Sequence, residues 1–231
     1  MLKLFLHHIG YILFANLPAL IFFKFLSSLK VRSDAAVPIE KNLLIVSNHR
    51  SLVDSWLIIY LIFNKIKCLF HYRYLPYHPA AVEHFFNTSW KRLLFGRLLK
   101  CLPLYRKSRI KQIFATLNVF ANKLREGTMI IFAEGTRTRT ERMIADSKFG
   151  VGYIMYQAKP VVIPLYHNGT EKILPVGATK LSPFHTVSVW IGKPIDLRRF
   201  YEMPNEKNTW RKISEHVFQR LLDMEKEFYE A

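Results

Sequence analysis

Cysteine is nearly absent from this chain of 231 residues: only Cys68 and Cys101 occur, and neither belongs to a Cys-x-x-Cys pair or a Cys/His metal-binding set. A disulfide scaffold and a zinc site are therefore excluded, both cysteines read as core residues, and a reducing compartment is the default. Acidic residues are scarce as well, 17 against 34 Lys plus Arg, so the net charge is +17 and a negatively charged partner is expected. No serine or cysteine sits in a nucleophile-elbow context, which argues against covalent nucleophilic catalysis. Repeats and low-complexity tracts are missing too. So is an uninterrupted apolar run of membrane-spanning length. Ile9 to Phe23 has Asn16 as its only polar member, but Pro18 breaks it and Lys24 closes it. As a helix it would reach about 22 Å, short of the ~30 Å hydrocarbon core. The segment instead predicts two short apolar helices around an Asn16-Leu17-Pro18 turn, dipping into one leaflet with Lys3, Lys24, Lys30 and Arg32 at the head groups. A buried pair of core helices is the alternative. A signal peptide fits poorly with the doubled His7-His8, the internal Pro18 and the lack of a small-x-small cleavage site.

What is present points the same way. Half the residues are apolar and 14% aromatic, more than a core needs, so some apolar surface has another use. The charge is concentrated: from Asn64 to Gln112 eleven basic residues face one acid, Glu83, whereas from Leu197 onward seven bases meet seven acids. A basic stretch that also carries Trp90, Leu93, Leu94, Phe95, Leu98 and Leu99 suits RNA, an anionic membrane or a phosphorylated substrate.

Strand-like and helix-like segments alternate, which predicts an α/β protein: a layered mixed sheet flanked by helices. The apolar two-helix, membrane-associating motif occupies residues 1–30 and an α/β domain residues 31–231, with Val31 to Lys41 as a linker. Leu43 to Val46 and Thr128 to Phe132 are short apolar runs typical of strands buried on both faces. Pro160 to Leu165 and Thr186 to Ile191 are further strands, and Cys68 to Phe70 is a candidate. His71 to Ala81, with Pro76 and Pro79, reads as a loop. Glu83 to Cys101 reads as a basic helix or helix pair, Ile110 to Arg125 as a helix ended by Gly127, and Trp210 to Tyr229 as a closing amphipathic helix.

Functional groups cluster where strands stop. The first apolar run ends at Ser47-Asn48-His49, and ligands bind at the carboxyl ends of strands in open α/β sheets. Ser51 and Asp54 then open a helix. Were His49 and Asp54 both helical they would diverge by about 140°. With His49 in the loop and Asp54 in the first turn, the carboxylate can accept one ring N–H, fix the tautomer and leave the other nitrogen to take a proton. Asp54 also reads as a capping carboxylate and His49 as a loop residue. A second exit, Glu134-Gly135-Thr136-Arg137, offers close backbone approach, a hydroxyl and a guanidinium able to grip phosphate. Arg106 ends a third short extended element.

Asn48-His49-Arg50-Ser51-Leu52-Val53-Asp54 resembles the NHxSxxD form of the H-x-x-x-x-D motif of the glycerolipid acyltransferases, the glycerol-3-phosphate and 1-acylglycerol-3-phosphate acyltransferases. Phe132-Ala133-Glu134-Gly135-Thr136-Arg137 resembles their FPEGTR motif, with Ala133 where proline is usual. Leu104-Tyr105-Arg106 and Val162-Ile163-Pro164 resemble the second and fourth blocks, and Lys148 and Gly150 the lysine and glycine that follow the third. The resemblance covers Leu43 to Leu165.

It implies that His49 is the general base and Asp54 its orienting partner. Arg106, Glu134, Gly135, Thr136, Arg137 and Lys148 would bind the acceptor's phosphate and glycerol. It also implies no metal and no cofactor, acyl-CoA or an acyl carrier protein as co-substrate, and 1-acylglycerol 3-phosphate as acceptor before glycerol 3-phosphate, another lysophospholipid or a lyso-aminolipid. Such an enzyme is expected to be monotopic, held on anionic lipid at the cytoplasmic face of the inner or plasma membrane, with no nucleic acid partner. A basic RNA- or membrane-binding protein would account for the charge but not for His49, Asp54 and two motifs in order.

Overall fold

A computed structural model describes residues 2–63, 71–105, 109–140, 142–143 and 149–230. It opens with helix α1 (Leu2–Tyr11), a π turn over Ile12–Asn16 and helix α2 (Leu17–Phe25), leading into β1 (Ser27–Ser33). β2 (Leu43–Ser47) and α3 (Asp54–Ile58) follow, then β3 (Pro76–Ala81), two short helices at Val82–Phe85 and Ser89–Lys91, a π turn over Arg92–Leu98, and β4 (Cys101–Leu104). The remainder comprises α4 (Ile110–Glu126), β5 (Thr128–Phe132), α5 (Phe149–Ala158), β6 (Val161–Asn168), a short helix at Thr170–Ile173, β7 (His185–Ile191), a short helix at Arg198–Tyr201, and α6 (Lys207–Glu230).

Seven strands form one mixed sheet in the order β1-β7-β6-β2-β5-β3-β4. β6, β2, β5, β3 and β4 run parallel, while β7 is antiparallel to β6 and β1 runs parallel to β7. Alternation along the central strands sorts side chains into two cores. Leu44, Val46, Met129, Ile131, Val162 and Tyr166 meet α4, α5 and α6 on one face. Leu43, Ile45, Ile130, Ile163 and Leu165 meet α1, α2 and α3 on the other. Both faces of β2 are covered, which is why its five residues are all buried and read as a continuous apolar run.

The amino-terminal segment differs from the expectation in two ways. No turn forms at Asn16-Leu17-Pro18: both Asn16 and Leu17 are helical, and the Leu17 N–H bonds the Ile12 carbonyl five residues back. The widened turn ahead of Pro18 absorbs its missing N–H, so α1 and α2 are continuous. The apolar helix from Phe5 to Phe25 has 21 residues, about 31 Å at 1.5 Å per residue, with a third of its most apolar window buried. Tyr11, Ala15, Ala19, Phe22 and Phe23 pack into the core. The Tyr11 hydroxyl reaches the Pro76 carbonyl at 3.4 Å and His78 Nε2 at 3.2 Å.

Residues 27–33 are not a helix end and linker but the sheet's edge strand, so the boundary expected at residue 30 falls inside β1. Lys30 and Arg32 accordingly sit on that strand. Arg32 pairs with Asp34 at 3.2 Å and lies 3.9 Å over the Trp190 ring, which the alternating hydropathy of a short strand does not announce.

The stretch containing Pro76 and Pro79 is likewise a strand, β3. It pairs with β5 only at Pro76 and Tyr77 and then crosses to β4. The His78 N–H bonds the Lys100 carbonyl, so position 79 faces the side where pairing with β5 has ended and a proline there forfeits no ladder bond. The strand expected at Cys68 to Phe70 lies outside the described residues. Cys101 is a free, half-buried thiol on β4, its pKa pushed up to about 12 by burial, consistent with an inert structural role.

Candidate active site

β2 and β5 are neighbours in register, Ser47 opposite Phe132, and β6 flanks β2 on the other side with Leu165 opposite Ser47. Their carboxyl ends therefore open at one place, and the loops bearing His49 and Glu134, 85 residues apart in sequence, are held together there. The Ala133 N–H donates to the Ser47 carbonyl at 2.9 Å, prolonging the ladder past the last paired residues. Proline, the usual occupant in the resemblance, has no N–H to give.

His49 Nδ1 lies 2.8 Å from Asp54 Oδ2. A carboxylate only accepts, so Nδ1 carries the hydrogen and the neutral ring keeps its lone pair on Nε2. Among the described residues Nε2 takes no hydrogen-bond partner, and the side chain remains 17% exposed. The ring stacks on Phe132 with centroids 3.9 Å apart and planes 7° from parallel. Asp54 serves both roles considered for it. Its Oδ2 also accepts the backbone N–H of Arg50 at 2.7 Å and of Ser51 at 2.8 Å, as a capping carboxylate does. Ser51 Oγ donates to the Leu174 carbonyl and accepts the Val53 N–H only distantly, at 3.4 Å, so it anchors a loop more than it caps. Asp54 is wholly buried. Burial works to raise its pKa, but the His167 and His49 imidazoles and the Ser51 N–H outweigh it and hold the carboxyl below its ordinary value.

Glu134 links the two loops. It is 4% exposed and turned into the protein: Oε1 accepts the His49 N–H at 2.9 Å and Oε2 the Thr138 hydroxyl. Thr138 N–H in turn bonds the His49 carbonyl at 2.7 Å. With both oxygens engaged, Glu134 ties one loop to the other, and burial raises its pKa. Gly135, at φ +66°, makes the left-handed bend that folds Glu134 inward while Thr136 stays exposed and Arg137 half-buried. Among the described residues no acid pairs with Arg137. Arg106 and Lys148 lie outside the described residues.

Several participants were invisible in the sequence. Asn48 pins β6, its side chain accepting the His167 N–H at 3.0 Å and donating to the His167 carbonyl at 2.8 Å. Arg50 is buried against Tyr166 at 3.2 Å and Glu225 at 3.5 Å, which fastens the dyad loop to α6. His167 is fully buried with Nε2 3.7 Å from Asp54 Oδ2. Each makes its contact with a residue far away in sequence, and of the three only Asn48 is a specified position of the NHxSxxD block. Among the described residues no group of three or more His, Cys, Asp or Glu is arranged for a metal ion.

A wholly buried carboxylate beside a partly open imidazole stands at the carboxyl edge of this mixed α/β sheet, an arrangement chemically suited to general-base work. The Acyltransferase family model matches residues 28–168, and the chain belongs to the acyltransferase family. It is 26% identical over 194 residues to a probable 1-acyl-sn-glycerol-3-phosphate acyltransferase of Mycoplasma pneumoniae, a match covering 80% of this chain and 69% of that protein. Its fold is similar to that of the 1-acyl-sn-glycerophosphate acyltransferase PlsC from Thermotoga maritima. The TM-score is 0.60 at 24% identity, over 87% of this chain and 73% of the other.

Proposed function

We propose that this acyltransferase moves a fatty acyl group from acyl-CoA or an acyl carrier protein to the free hydroxyl of 1-acylglycerol 3-phosphate, giving phosphatidic acid, at a membrane surface and without metal or cofactor. The observation that carries the reading is the dyad: His49 is oriented through Nδ1 by Asp54 while Nε2 has no partner among the described residues. Nε2 takes the hydroxyl proton as that oxygen attacks the thioester carbonyl. As the tetrahedral adduct collapses, the C–S bond breaks and the proton returns from the imidazolium to the departing thiolate. Arg137 grips the acceptor's phosphate beside Gly135 and Thr136, and Arg106 and Lys148 add positive charge. The relative from Mycoplasma pneumoniae and the Thermotoga structure bear names that specify the same acceptor. Assaying the purified protein with both donor classes against lysophosphatidate, glycerol 3-phosphate and lyso-aminolipids is expected to show transfer to lysophosphatidate first. Equal use of an acceptor lacking phosphate would overturn the assignment of Arg137.

The exposed apolar surface of α1 and α2 supports membrane attachment, and attachment at the cytoplasmic face is part of the same proposal. Phe5, Leu6, Ile9, Leu13, Phe14, Leu17, Ile21 and Phe25 are exposed on the side away from the core, and the segment bearing exposed Trp90 and Leu93 packs against α1 through Leu98 and Gly10. Lys91, Arg92 and Arg97 in that segment add attraction to anionic lipid of about 1 kcal/mol per well-placed residue. Because α1 and α2 are packed along the domain, the helix is read as lying in one leaflet. Replacing Leu13, Phe14, Leu17 and Ile21 together by serine is expected to release the protein from phosphatidylglycerol vesicles in sedimentation without lowering its melting temperature much. Undiminished sedimentation would place the attachment elsewhere. Deleting residues 1–30 is not an equivalent test, since it cuts into β1 and strips Phe22 and Phe23 from the core, where loss of one Phe costs about 3–5 kcal/mol.

A further inference from the structure

We propose that His167 is a positioning residue for the dyad, a second imidazole that holds the Asp54 carboxylate in place behind His49. The inference rests on the acyl-transfer reading for its catalytic consequence, though not for its geometry. His167 ends β6, next to β2, and is wholly buried. Its backbone is clamped on both sides by the Asn48 amide. Its Nε2 lies 3.7 Å from Asp54 Oδ2, beyond hydrogen-bond length, so the contact is between an N–H dipole and a charge. Buried low-dielectric surroundings make such a contact count. Among the described residues neither His167 Nε2 nor Asp54 Oδ1 has a hydrogen-bond partner, and both belong to side chains without solvent access.

The tautomer follows from the neighbours. A ring nitrogen facing a carboxylate that can only accept carries the hydrogen, so Nε2 is protonated and Nδ1 accepts from the Thr170 hydroxyl, 3.4 Å away. Burial keeps the ring neutral by lowering its pKa, with Arg50 and His49 acting in the same direction and Asp54 and Glu171 opposing. His49 is faced by Asp54 from α3, Glu134 from the loop after β5 and His167 from β6. His167 therefore withdraws part of the carboxylate's charge from His49. It also keeps Asp54 from turning away when His49 is neutral and pulls on it least.

The test reads His49 directly. Side-chain nitrogen NMR of the full chain would follow the titration midpoint of His49 in the parent protein, in His167→Phe, in His167→Gln, which retains an N–H near Nε2, and in Thr170→Val, which removes only the hydroxyl that donates to Nδ1 and supports the Nε2–H tautomer. The midpoint is expected to move to higher pH in His167→Phe, to move the same way but less in Thr170→Val, and to stay near the parent value in His167→Gln. In transfer assays kcat for His167→Phe should drop roughly tenfold, with KM unchanged and activity restored by Gln. An unmoved midpoint in His167→Phe overturns the proposal, and so does an unmoved midpoint in Thr170→Val should His167→Phe fail to fold. A moved midpoint in a protein that transfers no acyl group to any lysophospholipid would instead retain the positioning role and overturn the acyl-transfer reading.

Discussion

His49→Ala is expected to lower the rate of acyl transfer to lysophosphatidate by about 10²- to 10⁴-fold, the contribution typical of a positioned general base. KM for the acceptor should change little, because the phosphate is assigned to Arg137 and not to the imidazole. The fold should persist. His49 is partly exposed, so its removal vacates a hydrogen bond to Asp54 and a stack on Phe132 without opening the two cores. Vesicle sedimentation, assigned by the proposal to α1 and α2, should be unchanged. Steady-state kinetics with a labelled donor decides the matter: activity within a few-fold of the parent removes His49 from the role of base.

Asp54→Asn should reduce transfer by a similar factor for a different reason. The amide oxygen can occupy the place of Oδ2 and still accept from Arg50, Ser51 and His49, so the loop geometry survives. What disappears is the negative charge that, in the proposed mechanism, stabilises the imidazolium formed when His49 takes the acceptor's proton. Stability carries a second signature. The Asp54 carboxyl is held below its ordinary pKa in the folded protein, with burial opposing and His167, His49 and Ser51 outweighing it. Its contribution is therefore present above the unfolded-state value and is lost as pH falls through the folded one. The parent should thus exceed Asp54→Asn in denaturant stability at neutral pH, with the gap closing in acid. A gap that stays constant across that range would mean the carboxylate's charge contributes nothing. Glu134 has the opposite sign. Burial raises its pKa, so its contribution is present below the ordinary carboxylate value and falls as pH rises through the raised one.

The parts of the protein legible from residues alone are those where one local property has one structural outcome. β2 and β5 are continuous apolar runs because helices cover both their faces. α4 and α6 show the 3.6-residue stripe of helices with one buried side. The His49–Asp54 pair and the loop from Glu134 to Arg137 each occupy a few consecutive residues, and the resemblance carried both. The misread segments are those where an environment overrode a local signal. Pro76 and Pro79 argue against a strand until β3 is seen to change partners between them. Pro18 argues for a turn until the π turn before it is seen.

Composition, charge and the order of the motifs sufficed for the sheet's class, the basic and apolar surface, and the histidine and aspartate of the dyad, since each depends on residues close together along the chain. The inward turn of Glu134, the clamp of Asn48 on β6, the burial of Arg50 against Glu225 and the approach of His167 to Asp54 came only with the folded sheet. These contacts join residues 85 to 175 positions apart, or lie behind a residue already accounted for. Strand register, which no local pattern encodes, is what brings them into one place.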